Sequence, residues 1–210
     1  MYIPAPFAET DKAVLHDLID AYGFGVLVSV ETSGAPVASH IPFVLDRASG
    51  DNGILQAHLA RTNPQWRGFD AGAEILCVFE GPHAYISPRW YDPANNAVPT
   101  WNYAVVHAYG IPRIITDADV VRAQQETLVA KYEQTSEPWR IDSQPENYIE
   151  GMLKGIVAFE IPIARLEGKF KLNQNHPAAN RAGAISGLRT EAGDPLSLAI
   201  ADLMAAREKI

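Results

Sequence analysis

Apolar positions in this chain recur first with a helical period and then in alternation. Val14, Leu15, Leu18, Ile19 and Tyr22 fall on one face of a helix that Thr10 or Asp11 can cap and Gly23 can end. Phe24 to Glu31 is rich in β-branched residues. It leads through Thr32-Ser33-Gly34 into a second apolar run, Val37 to Asp46, and the pair predicts a β-hairpin. Pro42 inside the second run predicts an edge or a bulge. A turn cluster, Arg47 to Gly53, precedes a third strand, Ile54 to Ala60. That strand passes within a few residues into a helix start, with Thr62 or Asn63 as the cap and Pro64 at the first position. Glu74 to Glu80 predicts a fourth strand, apolar enough to be buried on both faces.

Gly81-Pro82 predicts a turn into a short strand, His83 to Ser87, and beyond a Pro/Asn loop (Asp92 to Val98) the run Val98 to Ile115 predicts one or two more. Thr116-Asp117-Ala118-Asp119 has the spacing of a capping box. The helix it opens runs to about Tyr132, with Val120, Val121, Leu128, Val129 and Tyr132 on its buried side. A short helix over Pro145 to Leu153 and a last strand over Gly155 to Glu167 follow. A final helix, Pro195 to Arg207, carries the stripe Leu196, Ile200, Leu203 and Met204, which must pack on something, a second subunit being one option. Roughly seven strands joined mostly by turns predict a mainly β fold with peripheral helices, an antiparallel barrel. The expectation is a single domain over 1–210 with a helical C-terminal extension from about 176. A Rossmann sheet fits poorly, because strands and helices do not alternate.

Composition narrows the function classes. With 210 residues, 47% hydrophobic and 20% charged, the chain has the make-up of a globular protein with a sizeable core. A net charge of −8 and a pI near 5.2 disfavour nucleic acid and anionic membranes at long range. MYIPAPF lacks the basic and apolar regions of a secretion signal, and the longest apolar run, FGVLVSV, is far short of the roughly 20 residues that span a bilayer. A soluble, cytoplasmic protein is expected. The single cysteine, Cys77 in EILCVF, reads as a small buried hydrophobe.

Candidate chemistry concentrates in a few stretches. Phe79 to Gly110 holds two of the four tryptophans, four of the eight tyrosines and two of the six histidines. Such rings either fill a barrel core or line a pocket for a flat ligand. The strand-to-helix junction places free backbone N–H groups beside Arg61, which suits an anion, although an exposed arginine beside an ordinary cap has the same sequence. Between Ile161 and Arg189 stand five basic residues (Arg165, Lys169, Lys171, Arg181, Arg189) and one acidic residue, Glu167. This basic segment is either a solvated face or a phosphate site. Within it, Lys169 to Asn175 (KFKLNQN) offers donors and amides for the edge of a heteroaromatic ring. Phosphate anchor, aromatic walls and amides together describe flavin mononucleotide (FMN), and pyridoxal phosphate satisfies part of the same list. His16 is expected to be exposed on its helix. His40, His58, His83 and His107 lie on predicted strands and are either structural or convergent. No GxSxG elbow, P-loop or close metal-ligand histidine spacing occurs, so the sequence carries no local metal or hydrolase motif and names no catalytic residue.

MYIPAPF, HIPFVLD (40–46), HLARTNPQW (58–66), FEGPHAYISPRWY (79–91), VPTWNYAVVHAYG (98–110) and GKFKLNQN (168–175) together resemble the PaiB-type proteins. These are described as FMN-binding negative transcriptional regulators, and they share the FMN-binding split barrel with pyridoxamine-phosphate oxidases and flavin reductases. The resemblance implies a homodimer with FMN at two equivalent sites between the subunits. It puts Ser39, His40 and Ile41 beside the flavin ring, and His58, Leu59, Arg61 and Asn63 around its phosphate. The second subunit is expected to contribute Tyr85 to Ser87, Thr100, Trp101 and Asn102, and Lys171 with Gln174. The oxidase relatives carry a basic pair where this chain has Asn63-Pro64. No helix-turn-helix with a basic recognition helix is visible, which makes DNA contact doubtful; a regulator can also act without touching DNA, through a protein partner or by sensing flavin redox state. The alternatives on the same scaffold are an FMN-dependent oxidoreductase acting on a small substrate and a haem-binding barrel.

Overall fold

The computed structural model describes residues 1–31, 33–94 and 96–207, with Asp70 described in its backbone only. The strands are β1 (Ala8–Glu9), β2 (Phe24–Val30), β3 (Pro36–Pro42), β4 (Val44–Asp46), β5 (Ile54–Ala60), β6 (Ile75–Ile86), β7 (Thr100–Gly110), β8 (Arg113–Ile114) and β9 (Ile156–Lys171). The α-helices are α1 (Lys12–Ala21), α2 (Ala118–Tyr132), α3 (Glu146–Lys154), α4 (Ala178–Gly187) and α5 (Pro195–Arg207). The nine strands form a sheet with the order β3-β2-β6-β7-β9-β5-β4, with β1 and β8 on β9, and this order does not close. The chain divides into two compact units. One comprises Met1–Leu15, Glu80–Val106 and the chain from Glu167 onward; the other comprises His16–Phe79 and His107–Leu166.

In the second of these units, β2 and β3 pair antiparallel from Phe24↔Pro42 to Val30↔Pro36. Both prolines therefore sit at the ends of an edge strand, where a missing N–H costs no central ladder bond. β5 pairs with β9 along its whole length, Ile54↔Pro162 to Ala60↔Ile156. Leu27, Phe43, Leu55, Leu59, Phe79, Phe159 and Ile161 are buried among these strands. Phe43 meets Phe79 edge to face at 5.3 Å between ring centroids, and Phe69 meets Phe159 at 4.9 Å. At Gly110 the backbones come so close that a Cβ would stand 2.3 Å from the Pro162 carbonyl oxygen. Cys77 is buried, and burial pushes its thiol pKa up.

Several expectations change, among them the fourth predicted strand, whose burial alternates from Ile75 to Glu80 instead of covering both faces. His16 is 3% exposed, not solvated, because α1 lays it on the turn at 51–53, where Nε2 stands 2.9 Å from the carbonyl oxygen of Asn52. Gly81-Pro82 does not turn the chain. Both residues are buried inside the continuous β6, since proline's fixed φ suits extended backbone wherever the ladder needs no donor. Asp117, not Thr116, caps α2, accepting from Asp119 N (2.9 Å) and Val120 N (3.2 Å). On that helix Val120 and Tyr132 are 49% and 54% exposed. The buried residue is Gln124, whose Nε2 donates to the carbonyls of Ala57 (3.2 Å) and Phe159 (3.0 Å). An apolar period shows which residues gain from a partner, not whether the fold brings them one.

In the other unit, α4, a π-helical turn (Leu188–Ala192) and α5 follow one another, and α5 buries Ile200, Ala201 and Met204. Leu196 stays 39% exposed and is not sealed into the stripe the sequence predicts. α4 packs on Trp90 through two glycines, Gly183 against its carbonyl and Gly187 against its ring.

Candidate functional site

The residues singled out by sequence fall into two groups, one in each compact unit. The first gathers on β3 and at the end of β5. Burial along β3 alternates, so Ser39 and Ile41 share its inner side and His40 stands exposed on the other. The Ser39 hydroxyl donates to Gln65 Oε1 (2.6 Å) and accepts from Asn63 Nδ2 (2.9 Å). Gln65 is the residue sequence reasoning missed. Its amide reaches Leu27 O (3.2 Å), Ser29 Oγ (3.1 Å) and Val37 O (3.4 Å), tying the hairpin to the turn after β5. Only its place two residues after a cap marks it in the sequence.

Asn63 caps the 3-10 helix Pro64–Ala71, its Oδ1 accepting from Gln65 N at 3.0 Å. The neighbouring Arg61 uses its N–H groups inward as well as outward: the backbone N bonds Gly155 O (2.8 Å), Nε bonds Lys154 O (2.7 Å) and Nη2 bonds Ile156 O (2.6 Å). Its Nη1 has no hydrogen-bond partner among the described residues, and the residue is exposed. Leu59 is buried in the core and offers a ligand only its backbone. His58 lies on the opposite face of β5, half-buried. Its Nδ1 is buried without a partner among the described residues, and burial holds the ring's pKa below its ordinary value.

The second group gathers where β6 and β9 end and β7 begins. Lys171 Nζ donates to Thr100 Oγ1 and to the carbonyl of Trp101, the latter at 2.7 Å. Burial, and then the neighbouring Lys169, lower its pKa. Trp101 packs edge to face on Tyr85 at 6.1 Å and lies 6.2 Å from the His83 ring, yet Trp101 is 54% and Tyr85 48% exposed. Asn102 is fully buried. Its Nδ2 meets Met204 Sδ at 3.4 Å, and its Oδ1 has no partner among the described residues. Gln174 closes on its own turn, accepting from Leu172 N (2.7 Å) and donating to Phe170 O, while Ser87 Oγ accepts from Arg89 N and Nε, both at 3.3 Å. Asn173, at φ 62°, turns the chain here and donates to the buried Tyr91 hydroxyl at 2.9 Å.

The basic segment is not a free cationic face, because each of its charges has its own neighbour. Arg165 stacks 3.6 Å over the Tyr109 ring, Lys169 faces Tyr2 and Tyr103, Arg181 bonds His176 O (2.7 Å) and Arg189 bonds Asp202 (2.7 Å). Of the strand histidines, His83 stands beside Trp101 and Glu80, and His107 Nδ1 lies 3.4 Å from the Tyr109 hydroxyl. Among the described residues no group of three or more His, Cys, Asp or Glu side chains is arranged to hold a metal ion.

The donor set suits a phosphorylated planar heterocycle. Arg61 stands at one group; open aromatic faces and a partly buried ammonium stand at the other.

Comparison with known proteins gives the family and the fold. The family model described as "Putative FMN-binding domain" matches residues 1–165. The chain is 35% identical over 205 residues to "Protease synthase and sporulation protein PAI 2" of Bacillus subtilis, covering 97% of this chain and 96% of that protein. It is also 35% identical over 237 residues to an uncharacterised protein of Emericella nidulans, covering 92% and 93% of the two chains. Among solved structures, the FAD- and haem-binding protein of Mycobacterium smegmatis superposes with a TM-score of 0.61 at 20% identity, covering 84% of this chain and 79% of that one. That likeness bears on fold, an antiparallel flavin-type split barrel with an open sheet. On the match over residues 1–165 and the likeness to PAI 2 along nearly its whole length, the chain belongs to the PaiB-type family of FMN-binding split-barrel proteins.

Proposed function

We propose that two copies of this chain hold FMN between them and that the flavin serves a regulatory role of PaiB type. The observation that carries the reading is the Tyr85–Trp101 pair, held open to solvent beside Lys171 in a chain of an FMN-binding family. Ser39, His40 and Ile41 would run along the ring, and His58, Arg61, Asn63 and the Leu59 backbone would take the phosphate. The second copy would supply Tyr85 to Ser87, Thr100 to Asn102, Lys171 and Gln174. Bound FMN supplies reversible electron transfer that the side chains alone lack. The chain's residues would bind the phosphate and orient the ring.

Regulation by direct reading of DNA has little support. The net charge is −8, and α2 balances Arg122 and Lys131 with Asp119 and Glu126 where a recognition helix would carry an excess of basic residues. A protein partner that senses the flavin state fits better. A second reading, a flavin-dependent oxidoreductase, is favoured by the cleft of about 590 Å³ beside Tyr85 and Trp101, large enough for a small substrate.

A visible absorbance spectrum of the purified protein, titration with FMN and then NADPH under nitrogen separate the two. Tight uptake without bleaching supports a sensor, and bleaching faster than that of free FMN supports the enzyme. No uptake overturns both. Arg61→Ala is expected to weaken FMN retention about ten-fold by removing a charge-assisted contact.

A further inference from the structure

The cleft of about 590 Å³ lies within the unit that carries the aromatic strand ends, and its two walls differ in chemistry. One wall is the corner formed by the rings of His83, Tyr85 and Trp101. The other comes from the C-terminal segment beyond residues 1–165: Glu191 and Ala192 from the π-helical turn and Leu196 from the first turn of α5. A π-helical turn is uncommon, and such turns are frequent at functional sites. Leu196 is 39% exposed opposite the open rings, so both walls present apolar surface to the gap.

The polar groups at the rim are unequal. Asp194 is saturated as the cap of α5, accepting from Leu196 N and Ser197 N (each 3.1 Å) and from Ser197 Oγ. Arg89 is not. Its Nε reaches Ser87 Oγ at 3.3 Å, its Nη2 reaches Glu191 at 3.3 Å, and its Nη1 has no partner among the described residues. Both side chains of the Arg89–Glu191 pair are largely exposed, and an exposed pair held by one long contact is weak. Glu191 thus occupies part of an arginine fork whose geometry suits a carboxylate held by two parallel bonds.

The geometry points to a binding site for a planar aromatic carboxylate, its ring against Trp101 and Tyr85, covered by Ala192 and Leu196, and its carboxylate exchanging with Glu191 on the Arg89 fork. The proposal rests on the reading of Tyr85 and Trp101 as ligand-facing, and it supplies the substrate or effector class for that site.

Titration of the full-length protein with 2-naphthoate, followed by tryptophan fluorescence and calorimetry with and without FMN, tests it, with 2-naphthylmethylammonium as the charge-reversed control. Saturable binding of naphthoate in preference to the ammonium is expected. Arg89→Gln should weaken it about ten-fold while FMN uptake, read by absorbance, stays unchanged. Glu191→Gln should tighten it, because a competing carboxylate is gone; a purely structural pair would show no gain. Absence of naphthoate binding to the folded protein, or equal binding of the ammonium, overturns the proposal whatever FMN does. FMN uptake that displaces naphthoate stoichiometrically makes the cleft the flavin's own seat, which overturns this inference and leaves the flavin reading standing. Failure of FMN uptake with naphthoate binding intact does the reverse.

Discussion

His16 and His58 show how little a histidine's sequence context says about its chemistry. Both lie on patterned elements, but His16 is buried with the Asn52 carbonyl as partner, whereas His58 Nδ1 is buried with none. Desolvation disfavours the charged form of His58, so the unfolded chain takes up a proton at the ordinary histidine value of 6.5 while the folded chain resists it. Stability from this group is complete above about pH 6.5 and falls as pH drops through the window between that value and the lower folded one. His176, lowered by burial and then by Lys171, acts in the same direction. The melting temperature is therefore expected to fall between pH 7 and pH 5, and His58→Gln should flatten that fall in part. An unchanged slope in the variant would place the dependence elsewhere. Saturation with FMN should flatten it too, if the flavin phosphate supplies the missing partner.

At the scale of elements, the C-terminal helices test packing against propensity. Alanine in place of Gly183 would raise the intrinsic stability of α4 by about 1 kcal/mol. A Cβ there, however, would stand 1.9 Å from the Trp90 carbonyl oxygen, backbone that cannot swing away. Overpacking of this kind costs about 1–3 kcal/mol, so Gly183→Ala should destabilise the protein in urea, with the midpoint reporting the loss. A gain would mean that α4 does not bear on Trp90 as described. The same conflict between local and tertiary signals explains β6. Gly81-Pro82 is strong turn punctuation locally, yet both residues lie buried within a strand of twelve residues. The hairpin of β2 and β3, the edge position of Pro42, β5 and the Asn63 cap were legible because each depends on neighbours in sequence. The π-helical turn left no periodic mark, since a five-residue segment is too short to show one.

At the scale of the whole molecule, the open aromatic pair and the exposed Phe24 and Val30 of β2 are surface that a lone chain leaves to water. The dimer reading predicts that sedimentation of the FMN-loaded protein gives twice the mass of the 22.9 kDa chain. Trp101→Asp should both shift the protein towards monomer and release flavin. Loss of flavin from a variant that stays dimeric would separate cofactor binding from assembly. Among the described residues no helix is long and apolar enough to cross a membrane.

The amino-acid order was sufficient for the β2–β3 hairpin, the cap at Asn63, the buried Cys77 and the concentration of aromatic rings between Phe79 and Gly110. These follow from periodicity and short-range hydrogen bonding, which act within a few residues. Tertiary structure alone decided which polar groups are taken and which are left open. Arg61 spends two of its side-chain donors on carbonyls more than ninety residues away, Lys171 reaches back to Thr100, and Gln124 crosses to Ala57 and Phe159. His58 Nδ1 and the outer face of Trp101 find nothing among the described residues. Hydrogen-bond partners and solvent access depend on distances between segments remote in sequence, and local periodicity does not encode those distances.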